Sequence, residues 1–144
     1  AVAWAATVVL LPVTFTGAAL TPAVGILVVY FAIGTFIGTE IANVGDIEVD
    51  REGNVATLPA ALGVRYTRWV LYAIGLAGIA LLGEAFRNGF LGGWAVAALT
   101  AGLDCMLGIV ALLGRVDNTD VLAIGGECAR LPVLALIVLP GTLA

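Results

Sequence analysis

The sequence predicts an all-α fold: a multi-span transmembrane bundle of about five helices. Three observations carry that expectation. Hydrophobic residues make up 62% of the 144-residue chain and charged residues only 11%, whereas soluble domains average roughly 45–50% apolar and about 25% charged. The mean hydropathy is +1.14. The charges are also grouped, so that residues 1–39 carry none at all. This composition excludes an ordinary soluble domain, and it excludes disorder, which needs low hydrophobicity and high charge. Nucleic-acid binding is excluded too. The 6 basic residues are all Arg and the net charge is −4, which leaves no basic patch.

Each expected span is a stretch of about 20 mostly apolar residues. Residues 1–20 form the first, without a charge. Residues 23–44 form the second, uncharged until Glu40 near its end. Pro22 stands where that helix begins, and there its missing N–H costs nothing. Residues 66–83 form the third, with Arg68 close enough to one end to snorkel. Residues 88–114 form the fourth, interrupted only by Asp104. The fifth, at about 128–144, rests on the apolar run from Leu131 to Ala144. It is lengthened if Glu127 and Arg130 sit at an interface, and Pro132 and Pro140 can kink it. The whole reads as a single membrane domain, 1–144. The chain opens at Ala1 and stops at Ala144 inside apolar segments, and no basic region precedes the first span. A C-terminal portion of a longer protein is therefore expected rather than a signal peptide followed by a domain.

The Arg distribution gives an expected orientation. Arg51, Arg65 and Arg68 follow the second span and Arg115 follows the fourth, so all four lie at one membrane face. Only Arg87 lies at the other. The positive-inside rule then puts the 45–68 loop on the cytoplasmic side of the cell membrane. Gly34 and Gly38, and Gly75 and Gly78, read as close helix contacts inside one bundle. Trp4, Trp69, Trp94, Tyr66 and Tyr72 fall mostly near span ends, as an aromatic belt does. Cys105 and Cys128 form no C-x-x-C pair and have no histidine beside them, so they are expected to be small buried apolar residues. Glu84 and Arg87 read as interfacial residues and Glu127 and Arg130 as a structural pair.

One stretch stands apart. Residues 40–52 hold Glu40, Asp46, Glu48, Asp50 and Glu52, with Arg51 as the single base. Asn43, Asp46 and Asp50 are spaced i, i+3 and i+7, which at about 100° per residue puts them on one helix face. Two carboxylates a turn apart repel unless a cation lies between them. An all-oxygen set of two carboxylates and an amide suits Mg²⁺, which commonly takes one or two carboxylates together with substrate phosphate oxygens. The alternative is a solvated acidic cap, although acids at a helix C-terminus oppose the macrodipole.

The run from Asn43 to Gly63 also resembles the second aspartate motif of the UbiA superfamily of intramembrane prenyltransferases. Asn43, Asp46, Asp50 and Arg51 fit the first part of that motif. Gly53, Thr57, Leu58, Pro59, Leu62 and Gly63 fit the rest. Asn at the first position, and the Arg65-Tyr66-Thr67-Arg68 run after the Leu-Gly, are similar to the menaquinone-type branch. Ala56 departs from the pattern, where the family often has a basic residue before Thr-Leu.

The resemblance implies the second half of a larger helical bundle. It implies transfer of a prenyl group from a prenyl diphosphate to an aromatic or other lipophilic acceptor in the bilayer, as in quinone or isoprenoid-lipid biosynthesis. In that reading Asn43, Asp46 and Asp50 bind Mg²⁺, Asp46, Asp50 and Arg51 are catalytic, and Asn43, Arg65, Arg68 and Asp104 contact substrate. Asp104 lies in mid-span, where a charge costs about 2.5–3.5 kcal/mol on insertion scales. Glu40 is expected to support Asn43 across one turn or to line the acceptor pocket. The family uses two aspartate motifs, one in each half, and the first is absent here. The missing N-terminal half is thus an expected partner, and the 144 residues alone are expected to be inactive. Two other classes fit the composition: a small cation-transport bundle, which needs acids within its spans, and a non-catalytic membrane partner.

Overall fold

The computed structural model describes residues 2–17, 19–115 and 125. The fifth expected span at 128–144, with Cys128, Glu127 and Arg130, lies outside the described residues. Among the described residues the fold is all-helical, as the composition predicts. The helices are α1 (Val2–Thr16), α2 (Pro22–Asn43), α3 (Ile47–Glu52), α4 (Leu58–Arg87) and α5 (Gly93–Leu112). Three of them, α2, α4 and α5, are long and apolar enough to cross a membrane.

The boundaries of the helices follow local chemistry. α2 starts at Pro22 as expected and runs for 22 residues, about 33 Å at about 1.5 Å per residue. α1 covers less than the expected 1–20. Its 15 residues reach about 22 Å, short of a hydrocarbon core of roughly 30 Å. The chain leaves the helix at Gly17 with φ 65°, a backbone conformation that hydropathy does not register. α4 begins eight positions before the expected span, because Thr57 caps it at a point where the hydropathy is still low. The helix is broken inside at Gly63, with φ 75° and ψ 161°, a region open in practice only to glycine. A methyl group there would meet nothing within 4 Å, so the requirement for glycine is one of backbone shape and not of space.

Packing joins the spans in sequence. α1 lies on α2, α2 on α4, and α4 on α5, with α3 resting against α4. The buried side of α4 runs through Thr67, Leu71, Gly75, Gly78, Leu82 and Ala85, the i, i+3, i+4 stripe of a helix against its neighbours. A Cβ at Gly75 would fall 2.5 Å from Leu107 Cδ2 of α5, and one at Gly78 would fall 3.0 Å from Leu103 Cδ1 and 3.2 Å from Ile33 Cδ1 of α2. These glycines therefore set the close approach of three helices, the role expected of them. One apolar layer gathers Tyr30, Phe31, Leu82, Leu99 and Leu103 toward the α4–α5 turn. The other gathers Ile37, Ile41, Leu71, Met106 and Val110 toward the acidic segment. Cys105 is exposed rather than buried. In a membrane-spanning helix an outward position is itself apolar, so a thiol need not be enclosed to avoid water.

Candidate functional site: the acidic segment and the start of α4

The site is built where α2 ends and α4 begins. Glu40, one turn before the end of α2, is only 8% exposed. Asn43 is the last residue of α2 and is half-buried. Beyond it the helix tightens. The N–H groups of Val44, Gly45 and Asp46 donate to the carbonyls three residues back, at 3.2, 3.1 and 3.2 Å. Only then does α3 start, with Asp46 at its N-cap position. The expectation of Asn43, Asp46 and Asp50 on one continuous helix face is therefore corrected. The 3.6-residue period is interrupted at 44–46 by a turn of i→i+3 bonds, and a fixed angle per residue no longer relates Asn43 to Asp50.

α3 is short and ends sharply. The Val55 N–H donates to the Asp50 carbonyl (2.8 Å) and the Asn54 N–H to the Arg51 carbonyl (3.3 Å), the double bond of a Schellman motif. Asn54 takes the left-handed position with φ 53°, which Asn tolerates better than most residues. This reversal brings Thr57 back beneath α3.

Three ties then knit the acidic segment to α4. The Thr57 hydroxyl donates to Asp50 Oδ2 (2.9 Å) and accepts from the Ala60 N–H (3.3 Å). Glu40 Oε2 accepts from the Leu58 N–H (3.1 Å) and from Asn43 Nδ2 (3.5 Å). Arg51 Nε donates to the Ala60 carbonyl (3.0 Å). The first N–H groups of a helix have no intrahelical partner. Here Leu58 finds Glu40, Pro59 has no N–H, and Ala60 finds Thr57. The Thr-Leu-Pro sequence is thus a complete helix start, and the Glu40 charge sits at the favourable end of the α4 dipole.

The other expected site residues divide. Asp46 is exposed and its side chain makes no capping bond. Asp50 is half-buried, with one carboxylate oxygen on Thr57. Arg51 is exposed beside them. Arg65 is exposed just after the Gly63 break. Arg68 donates to the Leu113 carbonyl at 3.4 Å, which fastens the end of α5 to the same face of the bundle. Asp104 is not brought to the cluster. It lies on an exposed side of α5, nine residues before Leu113, roughly 14 Å along the axis. Glu84 and Arg87 pair at 2.7 Å at the opposite end. That is the one ion pair among the described residues, so no described Arg neutralises Asp46, Glu48, Asp50 or Glu52 within 4.0 Å. No three His, Cys, Asp or Glu among the described residues converge as a metal group. Asn43, Asp46 and Asp50 offer an amide and two carboxylates, oxygen donors whose chemistry suits a hard cation that also takes substrate oxygens.

Two residues of consequence carried weak sequence signals. Thr57 matters as a cap and as a donor to Asp50, and its signal was its place directly before Leu-Pro. Thr67 is fully buried and its Oγ1 has no hydrogen-bond partner. Its position on the apolar stripe of α4 was the signal that it faces inward. The chain matches no protein-family model, no curated protein and no solved structure.

Proposed function

We propose that the chain belongs to a Mg²⁺-dependent prenyltransferase that works at the membrane face. The observation that carries this reading is the pair Asp46 and Asp50, at the edge of an apolar bundle and without an ion pair to any described Arg, since Arg51 turns its Nε to the Ala60 carbonyl instead. The resemblance of Asn43–Gly63 to the UbiA-type aspartate motif supplies the chemistry.

The substrate would be an allylic prenyl diphosphate. Its C–O bond breaks, the electron pair leaves with the diphosphate oxygen, and an electron-rich carbon or hydroxyl of a lipophilic acceptor takes the prenyl carbon and gives up a proton. When bound, Mg²⁺ supplies Lewis acidity at the departing oxygen. Asp46, Asp50 and the amide oxygen of Asn43 would hold that cation. Arg51, whose Nε donates to the Ala60 carbonyl, would offer its terminal guanidinium nitrogens to the negative charge that develops on the diphosphate. Arg65 lies on the same side and adds to this. The apolar helices keep water from the electrophilic carbon. The Arg51, Arg65, Arg68 and Arg115 side of the bundle is the cytoplasmic side on the positive-inside rule.

The experiment uses the complete gene product in membranes, with radiolabelled geranylgeranyl diphosphate, MgCl₂ and a panel of aromatic and glycerol-ether acceptors. Label passes to a lipid product in the wild type, and Asp46→Asn and Asp50→Asn each abolish the Mg²⁺-dependent transfer. Undiminished transfer in both variants refutes the assignment.

A further inference from the structure

Glu40 is the one acid of the 40–52 stretch that is buried, and the reaction outlined above gives it no task. Its Oε2 receives two donors from different elements, the Leu58 N–H of α4 and the Asn43 amide of its own helix. An ionised carboxylate only accepts hydrogen bonds. A side-chain amide beside it is therefore obliged to turn its NH₂ toward it. Asn43 then has one end committed, and its carbonyl oxygen is the end left for something else. Hard cations take oxygen and not amide nitrogen, so the direction of this one bond decides whether Asn43 can serve as a ligand.

We propose that Glu40 is a positioning residue that sets the polarity of the Asn43 amide, presenting Oδ1 to the cation shared by Asp46, Asp50 and a diphosphate. The inference rests on the reading of the site as a Mg²⁺–diphosphate site. The same Glu40 oxygen holds the start of α4, so the orientation of Asn43 is locked to the loop that carries Asp50 and Thr57. Outer partners of metal ligands act in this way generally, by fixing ligand orientation, and their loss weakens metal binding by about 10–100-fold.

The test is Mn²⁺ binding to the complete protein in detergent with inorganic pyrophosphate present, read from the electron paramagnetic resonance signal of the free ion. In Glu40→Gln, the amide oxygen can take the place of Oε2 and accept from both Leu58 and Asn43, so Mn²⁺ affinity should stay near wild type. Glu40→Leu removes the acceptor and frees the Asn43 amide to turn, and the expected result is an apparent Kd about tenfold higher. In an Asn43→Ala background the Glu40→Leu change has no further effect, because the residue it acts through is gone. Wild-type Mn²⁺ affinity in Glu40→Leu overturns the proposal, and so do losses from Glu40→Leu and Asn43→Ala that simply add. Should the Leu variant not fold, Glu40→Asp keeps the charge and shortens the reach; weakened binding supports the proposal and unchanged binding overturns it. Asp46→Asn and Asp50→Asn separate the two levels of the argument. If they bind Mn²⁺ as the wild type does, the metal-site reading itself fails. If they lose binding while Glu40→Leu keeps it, only the role of Glu40 fails.

Discussion

Two glycines of α4 should respond to the same substitution with opposite signs. A Cβ at Gly75 would lie 2.5 Å from Leu107 Cδ2 and 3.1 Å from Leu107 Cγ, whereas a Cβ at Gly83 would meet nothing within 4 Å. Carbon atoms rest at about 3.5–4.0 Å, so Leu107 must retreat by about 1 Å to admit the new methyl group. Overpacking of this kind costs about 1–3 kcal/mol. Both sites share the gain of about 1 kcal/mol when Ala replaces Gly inside a helix. Gly83→Ala should therefore stabilise the protein by up to about 1 kcal/mol, and Gly75→Ala should fall below it by about 1–3 kcal/mol. Reversible unfolding in mixed micelles, followed by circular dichroism as sodium dodecyl sulfate is titrated in, gives both values on one scale. A Leu107→Ala change adds a check. Alone it opens a cavity, but with Ala at 75 the added methyl group occupies part of the space, so the double variant loses less than the sum. Equal stabilities for Gly75→Ala and Gly83→Ala, or strict additivity with Leu107→Ala, would refute the close approach of α4 and α5.

Other expectations follow from the same geometry. Thr57→Val removes both the cap on Ala60 and the bond to Asp50 and should cost about 1–2 kcal/mol. Thr67→Val removes a buried hydroxyl without a partner and should gain up to about 1–3 kcal/mol; the same micelle titration measures the pair. Gly63→Ala should cost about 1–3 kcal/mol through backbone strain alone, so no truncation of a neighbouring side chain restores it, in contrast to Gly75→Ala.

What the sequence made legible depended on which physical quantity a residue reports. The extent of α2 was readable because Pro22 marks its start and apolar residues fill its length. The start of α4 was not, since hydropathy falls across Arg65 and Arg68 and shows only the 66–83 portion. Its true beginning at Leu58 is a matter of hydrogen bonds from Thr57 and Glu40, which no transfer scale contains. The end of α1 at Gly17 and the break at Gly63 are likewise backbone events. For the site, the segment was visible as a concentration of acids, and the support of Asn43 by Glu40 was one of two roles expected for that residue. The shared face of Asn43, Asp46 and Asp50 was not a safe inference, because periodicity presumes an unbroken helix and the chain tightens at 44–46.

The ties between the acidic segment and α4 raise the question of how much of the motif the fold alone requires. A helix that begins at a membrane edge must satisfy its first N–H groups whether or not a substrate ever binds. That need accounts for Thr57, for Pro59, for the Leu58 bond to Glu40, and for one oxygen of Asp50. It does not account for Asp46. A residue at the N-cap with a carboxylate is well suited to cap its own helix, yet Asp46 makes no such bond and is exposed. It also stands just past the C-terminus of the 22-residue α2, where a negative charge opposes the helix dipole, and only the six-residue α3 offers it a favourable end; three more acids follow in the next six residues. Nothing in the packing repays that arrangement, and a bound cation would. The two aspartates should therefore separate in experiment. Asp50→Asn weakens a bond that the fold uses and should lower both stability and transfer. Asp46→Asn relieves repulsion, so stability should hold or rise while transfer is lost. If Asp46→Asn instead destabilised the protein and left transfer intact, the carboxylate would be structural and the metal reading would have no residue left that only it explains.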